Sequence, residues 1–410
     1  MSTQTWAGTA AELDAADPLA QHREKVLCGP DDDVVSYLDG NSLGRPLRAS
    51  ADRVDHFVRT AWAGRLIRGW DEEWLDLPIT VGDRIGATVL GAAPGQTVVG
   101  DSTTVLLYKL IRAAVDARAT ERDEIVIDTD NFPTDRYVVE GVAAERGLSV
   151  RWVEVDRGAG VTPELLAPAL GRRTALVVLS HVAYRSAFLA DGAEITRMAH
   201  EAGALVLWDL SHSVGSVPLS LDDWGVDLAV GCSYKYLNGG PGAPAFGYVA
   251  ARHQSALRQP VQGWMGHADP FLMGPGYTPS AGARRFLSGT PAVVGMLPLA
   301  DMVELIDSVG MTAVRAKSVA LTSFALELAD ELLAPLGVAA ASPRDPERRG
   351  GHVTLSHRAM REVVAALWQR DVIPDFRDPG GLRVGLSPLS TSFAEVESGL
   401  RAVRDTLSAV

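Results

Sequence analysis

The chain is poor in cysteine, with only Cys28 and Cys232 among its 410 residues. Two isolated thiols build neither a disulfide framework nor a zinc site, which excludes small secreted scaffolds and zinc modules. Cys232 lies in an apolar run and reads as a small buried residue. Positive charge is also scarce: 38 lysines and arginines face 51 acidic residues, for a net charge of −13. Such a surface repels phosphate backbones and anionic lipid, so neither nucleic acid nor membrane is expected as a partner. Long apolar runs are missing too. The stretch from Val293 to Ile306 is interrupted by Asp301 and Glu304 and is too short to span a bilayer. Met1–Asp14 lacks the basic segment and apolar core of a secretory signal. A cytoplasmic location is the expectation, and no internal repeat or low-complexity segment is visible.

What remains is an ordinary globular composition, 47% hydrophobic and 22% charged, in a chain long enough for two packed domains. Its middle alternates short apolar runs with helical patterns. Glu124–Ile127, Val150–Val155, Ala175–Leu179, Leu205–Trp208 and Leu228–Gly231 read as strands; Thr103–Ala117, Thr162–Leu170 and Asp191–Gly203 read as helices. Apolar strands separated by helices predict an α/β fold whose mostly parallel sheet is covered on both faces. Ligands of such sheets bind beyond the carboxyl ends of the strands. From about Ser308 the pattern changes to a helix (Val314–Leu333), a strand (His352–Leu355), a helix (Met360–Arg370), a strand (Leu382–Gly385) and a helix (Phe393–Leu407). This reads as a smaller α+β domain, with Pro343–Gly351 as an exposed loop.

Four segments carry chemistry. In Gly231-Cys-Ser-Tyr-Lys-Tyr-Leu-Asn-Gly-Gly-Pro-Gly242 a strand is expected to end in Ser-Tyr-Lys and pass into a glycine-rich turn. Lys235, held rigidly and partly desolvated there, suits a Schiff base, although for this segment alone an ordinary lysine at a strand–loop junction is the stronger reading. Leu205-Val-Leu-Trp-Asp-Leu-Ser-His212 places Asp209 at the end of an apolar strand. A pyridoxal phosphate (PLP) ring needs such a carboxylate at its nitrogen to act as an electron sink, but a strand-end cap is the plainer alternative. His212 either orients Asp209, packs on the cofactor, or is a satisfied core histidine. Gly100-Asp-Ser-Thr-Thr-Val105 opens a helix with free amides and the hydroxyls of Ser102, Thr103 and Thr104, a phosphate cradle or a plain N-cap by Asp101 or Ser102. In Asp130-Asn-Phe-Pro-Thr-Asp-Arg-Tyr137, Phe132 could stack on a pyridine ring and Asp135 reach its polar edge; in isolation a proline turn before a helix is the preferred reading.

Taken in order, these segments resemble kynureninases, PLP enzymes of fold type I. The resemblance also runs through Tyr37-Leu-Asp-Gly-Asn-Ser-Leu-Gly44, Gly82-Asp-Arg-Ile-Gly86, Asp222-Asp-Trp-Gly-Val-Asp227, Gly263-Trp-Met-Gly-His267, Phe286-Leu-Ser-Gly-Thr-Pro291 and Leu382-Arg-Val-Gly-Leu-Ser-Pro388. It implies a large domain with a seven-stranded, mostly parallel sheet (51–307), an N-terminal arm joining the small domain (1–50) and a C-terminal α+β domain (308–410). By the same resemblance Lys235 carries PLP, Asp209 pairs with the ring nitrogen with Asp135 nearby, and Phe132 stacks on the ring. Thr103, Thr104 and Tyr234 serve the phosphate, while His212 and Ser180 line the site. Trp264 and Thr290 come from the neighbouring subunit of a homodimer, Arg383 binds the substrate α-carboxylate, and Trp70, Ser42 and Thr290 border the substrate ring. Leu106 stands where relatives usually carry Asn, and Ala187 where Gly is usual.

The implied reaction is hydrolysis of L-kynurenine to anthranilate and L-alanine, a step of tryptophan catabolism, with 3-hydroxykynurenine as the poorer substrate and Tyr234 as a proton shuttle at the ketone. The alternatives are another fold type I enzyme, an aminotransferase or cysteine desulfurase relative, and a PLP-binding protein without catalysis. A desulfurase needs a thiol on a late mobile loop, and both cysteines lie at or before Cys232. A silent relative would have no use for Lys235, Asp209 and Arg383 together.

Overall fold

The computed structural model describes residues 3–30, 33–118 and 122–409. In chain order the strands are β1 (Ser36–Tyr37), β2 (Thr97–Val99), β3 (Glu124–Asp128), β4 (Ser149–Val153), β5 (Thr174–Ser180), β6 (Leu205–Asp209), β7 (Leu228–Gly231), β8 (Phe246–Val249), β9 (Ala339–Ala340), β10 (His352–Ser356), β11 (Val372–Ile373), β12 (Asp375–Arg377) and β13 (Gly381–Gly385). Seven of them form one sheet in the order β2-β8-β7-β6-β5-β3-β4. The β4-β3-β5-β6-β7 block is parallel, and β8 and β2 close the other edge antiparallel.

The reason for the parallel block is visible residue by residue. Ile125, Ile127, Leu176, Val178, Leu205, Leu207, Leu228 and Val230 pack into one apolar core. The alternate residues Val126, Val177, Leu179, Val206, Trp208 and Ala229 pack into another on the opposite face. Both sets must therefore be apolar, and the period-2 signature of a half-buried strand disappears. The helix Thr103–Arg118 contributes Leu106, Leu107, Leu110 and Ile111 to the first core. The helices Leu77–Ile85 and Val293–Val309 contribute to the second.

A third core joins the helices Met311–Leu332, Met360–Trp368 and Phe393–Leu407 to the sheet β12-β13-β10-β9. Trp6 packs edge-on against Phe324 in that core, and β1 pairs in parallel with β11. The helix Phe393–Leu407 starts at a capping box between Ser392 and Glu395, a device that contributes about 1 kcal/mol. Glu395 additionally accepts the Tyr37 amide at 2.7 Å, so one carboxylate starts a helix and fastens β1 to it. Pro343–Gly351 holds a short 3-10 turn at Pro346–Arg348.

The two unusual positions have different outcomes. Leu106 is buried against the sheet, above Gly247 of β8, so a leucine there fills core. Ala187 is also buried and has φ +62°, the left-handed region where a Cβ costs roughly 1 kcal/mol. A glycine at this position would be free of that strain.

Candidate active site

The carboxyl ends of β3, β5, β6 and β7 converge on a set of polar groups. Asp128, Ser180 and Asp209 are the last residues of their strands. Lys235 differs from the expectation that a strand ends in Ser-Tyr-Lys: β7 stops at Gly231, and Lys235 lies four residues on. The backbone there closes on itself, with the Gly239 amide donating to the Ser233 carbonyl and the Asn238 amide to the Lys235 carbonyl. The Ser233 hydroxyl fixes the turn to the Pro244 carbonyl at 2.6 Å. Gly44 packs so closely on this turn that a Cβ would sit 2.3 Å from the Lys235 carbonyl and 2.0 Å from Asn238 Oδ1. That contact explains why the Asn41-Ser-Leu-Gly44 turn ends in glycine.

Lys235 is 8% exposed, its Nζ 3.2 Å from His212 Nε2 and 5.9 Å from the centre of the Phe132 ring. The chain's lysines are Lys25, Lys109, Lys235 and Lys317. Lys25 is exposed, and Lys109 and Lys317 are buried in ion pairs with Asp101 and Asp17. Of these lysines, and with respect to the described residues, Lys235 alone is buried with no carboxylate in ion-pair range. An amine so placed is the one available as a nucleophile. His212 is held well below the usual imidazole range by its burial, then by Lys235 and Arg383. It is therefore neutral beside the amine.

Asp135 and Asp209 are both buried. Asp209 Oδ1 accepts the Ser211 amide at 2.7 Å. Burial, followed by the charge and hydrogen bond of Asp209, pushes the Asp135 carboxyl well above the usual range, with Asp128 adding to it and Lys235 opposing. Asp135 is thereby pushed toward its neutral form. Asp135 Oδ2 has no hydrogen-bond partner, a buried acceptor that awaits a donor. A pyridinium N–H is such a donor, so the buried pair fits the polar edge of PLP. Burial also raises Asp128, to about 7.

Phe132 meets Tyr184 edge-on at 5.3 Å. Its position depends on Asn131, a residue that no sequence motif singles out. Asn131 Oδ1 accepts the Phe132 amide at 2.8 Å and the Ser180 hydroxyl at 2.7 Å, and its amide group donates to the Val178 carbonyl at 3.4 Å. Ser180 thus acts on the Phe132 turn through Asn131. Tyr234 is half-buried, and burial raises its phenol well above the ordinary range, so it stays protonated and able to donate. Thr103 and Thr104 open the helix Thr103–Arg118, whose first amides have no acceptor within the helix.

Arg383, on β13, is fully buried. Its Nε donates to Asp375 Oδ2 at 2.8 Å, Nη1 to the Tyr184 carbonyl at 2.8 Å and Nη2 to the Ser42 hydroxyl at 2.9 Å. Its chain partner across the sheet is Asp375 itself, so the guanidinium is oriented before any ligand arrives. His352, equally unmarked by motif, meets His212 with the rings tilted and their centres 5.6 Å apart, and is completely buried.

The remaining expected residues gather elsewhere. Trp70 meets Trp264 at 6.1 Å and Trp74 at 5.5 Å, and Trp264 meets Phe271 at 5.9 Å. Thr290 is exposed. No hydrogen bond, ion pair or ring contact among the described residues joins Trp70, Trp264 or Thr290 to Lys235, Asp209 or Arg383 within one chain. Ser42 is brought to Arg383.

Residues 314–403 match the family model of the kynureninase C-terminal domain. The chain is 40% identical over 402 residues to a kynureninase of Pseudomonas fluorescens, covering 96% of this chain and 94% of that protein. It is 40% identical over 404 residues to one of Burkholderia pseudomallei strain 1106a, covering 97% and 94%. Among solved structures the fold resembles an apo cysteine desulfurase of Thermococcus onnurineus NA1, with a TM-score of 0.80 at 19% identity over 95% of this chain and 98% of that one. It also resembles the cysteine desulfurase CsdA of Escherichia coli, with a TM-score of 0.80 at 18% identity over 96% and 99%. At that identity the likeness establishes the PLP fold type I architecture.

Proposed function

The chain belongs to the kynureninase family, and from that premise we propose how its residues divide the work of a PLP-dependent hydrolase that cleaves a C–C bond in a ketonic substrate. The observation that carries the reading is Lys235 Nζ, buried and without a carboxylate partner, beside neutral His212 and on the same side of the sheet ends as the Asp135–Asp209 pair, whose field includes Lys235.

The residues that would hold PLP are Lys235 at its aldehyde carbon, Asp209 and Asp135 at its ring nitrogen, Phe132 and His212 at its faces, and Thr103, Thr104 and Tyr234 at its phosphate. The chemistry the cofactor supplies when bound is withdrawal of the electron pair left on the substrate's carbon. Arg383 is the group for the α-carboxylate; its Nε and Nη2 are paired with Asp375 and its Nη1 with the Tyr184 carbonyl, so the carboxylate would enter by displacing the Ser42 hydroxyl. Lys235, as a free amine, would take the α-proton. Tyr234, kept protonated by burial, gives and recovers a proton at the ketone oxygen while water adds to that carbon. The products are anthranilate and L-alanine from L-kynurenine.

We place the protein in a homodimer with shared sites. Two features support this. Trp264 and Thr290 make no hydrogen bond or ring contact with their own Lys235 among the described residues, and Val58, Trp62, Leu66, Ile67, Phe271, Leu272 and Met273 are exposed apolar side chains of a kind that suits a protein contact. Mixing a Lys235→Ala protein with a Thr290→Ala protein should restore activity to one of the two sites in each hybrid. If hybrids form and no activity returns, the sites are not shared. A cytoplasmic setting remains the reading from cysteine usage; no helix among the described residues is long and apolar enough to cross a membrane.

Trp70 sets the expected substrate preference. An indole gives a flat apolar wall and no acceptor, so a ring hydroxyl buried against it loses hydrogen bonds at roughly 1–3 kcal/mol. That is about tenfold or more in specificity. We expect a higher kcat/KM for L-kynurenine than for 3-hydroxy-L-kynurenine, with the gap narrowed by Trp70→His combined with Thr290→Asn. Equal or reversed preference in the unmodified enzyme rejects the assignment.

A further inference from the structure

We propose that Lys109 is a positioning residue for the cofactor phosphate, which anchors the Asp101 carboxylate that would otherwise stand unbalanced inside the phosphate-binding turn. The proposal rests on the PLP reading of the site and goes beyond it to a residue that touches no reacting atom.

The turn has an electrostatic difficulty. Gly100-Asp-Ser-Thr-Thr104 is to receive a phosphate carrying close to two negative charges at the amides of Thr103 and Thr104, yet its second residue is an aspartate. Asp101 is held at φ +51°, a left-handed conformation that Asp tolerates better than most residues. Its backbone is tied down on both sides: the Gly100 amide donates to the Ala245 carbonyl and the Ala245 amide to the Asp101 carbonyl. The side chain is partly exposed, and the Lys109 ammonium meets it in an ion pair.

Lys109 sits two turns into the helix that the phosphate site opens, and its side chain is completely buried. Burying an ammonium is unfavourable, and burial does pull Lys109 below its ordinary range, with Asp101 opposing that shift. A hydrophobic residue would pack at this point of the Leu106–Leu110 face with no such penalty. The ammonium therefore has a partner to serve. It also donates to the Phe286 carbonyl at 3.0 Å, and a Cβ on Gly100 would meet Leu287 at 2.9 Å. One side chain thus fastens the phosphate turn to the segment that runs on to Ser288-Gly289-Thr290, the part we assign to the neighbouring site.

The consequence is specific to the phosphate. Freed of Lys109, Asp101 repels a dianion bound in its own turn, by an amount that corresponds to roughly tenfold or more in affinity. The test is a titration of the apoenzyme with PLP and, separately, with pyridoxal, which lacks the phosphate, followed by protein fluorescence. In Lys109→Met, Kd for PLP should rise about tenfold or more while Kd for pyridoxal stays near the wild-type value. Adding Asp101→Asn to Lys109→Met removes the offending charge and should bring PLP affinity back to within about threefold. If Lys109→Met does not fold, Lys109→Gln carries the same expectation. Unchanged PLP affinity, an equal loss for PLP and pyridoxal, or a double variant as weak as the single one would each overturn the proposal. Wild-type protein that takes up no PLP would overturn the cofactor reading itself, and this proposal with it.

Discussion

Lys235→Ala should lower turnover by at least about 10⁴-fold while the protein still folds and still binds PLP. Two losses combine in that number. The amine is the covalent anchor of the cofactor, and it is the base that takes the α-proton, a role worth about 10²–10⁴-fold by itself. Neither passes readily to another side chain: an imidazole cannot replace the primary amine as covalent anchor and burial lowers the basicity of His212, while Lys109 and Lys317 are held in buried ion pairs. Borohydride treatment of the wild type should fix the cofactor to the peptide containing Lys235, and the alanine variant should show no fixed label. A small exogenous amine should recover part of the lost rate. Label found on another lysine, or turnover within tenfold of the wild type, removes Lys235 from the mechanism.

Asp209→Asn should bind PLP and lose about 10³-fold in turnover, close to 4 kcal/mol of barrier. An asparagine keeps the shape and still accepts the Ser211 amide, but it cannot balance a protonated ring nitrogen. The loss should fall on kcat more than on KM, because the carbanion rather than the bound substrate needs the charge. Asp135→Asn tests the partnership: burial and Asp209 push the Asp135 carboxyl toward its neutral form, so the smaller effect is expected there. A larger effect at Asp135 than at Asp209 would exchange their roles.

How far this site is legible in the sequence follows from which signals are local. The parallel strands β3, β5, β6 and β7 are legible because burial on both faces writes unbroken apolar runs. Asp209 is legible because it is the first charge after such a run. The strands β2 and β8 carry no comparable signature; they are three and four residues long and sit at an antiparallel edge. The short strands β9, β11 and β12 are defined by their partners β10, β1 and β13 rather than by any period of their own. The local pattern puts Lys235 at a strand end, yet a turn closed by Ser233 and Asn238 holds it, and such closure depends on contacts with Pro244 and Gly44 that the pattern around a strand does not reveal. Asn131, His352 and Asp375 escape a sequence reading for the same reason. Each works on a named residue from another element: Asn131 on Ser180, His352 on His212, Asp375 on Arg383. Lysine scarcity is one further signal that the sequence does hold. With Lys25, Lys109, Lys235 and Lys317 as the whole set, composition alone narrows the candidates for a covalent cofactor lysine to a few.

The central claim, that this site hydrolyses the β,γ bond of L-kynurenine, is tested most directly by product identity. Purified protein loaded with PLP is incubated with L-kynurenine, and anthranilate is followed by its fluorescence while alanine is quantified in the same samples. The account predicts anthranilate and L-alanine in equal amounts, both abolished by Lys235→Ala. Consumption of L-kynurenine without anthranilate, or loss of its amino group with the side chain intact, would contradict it.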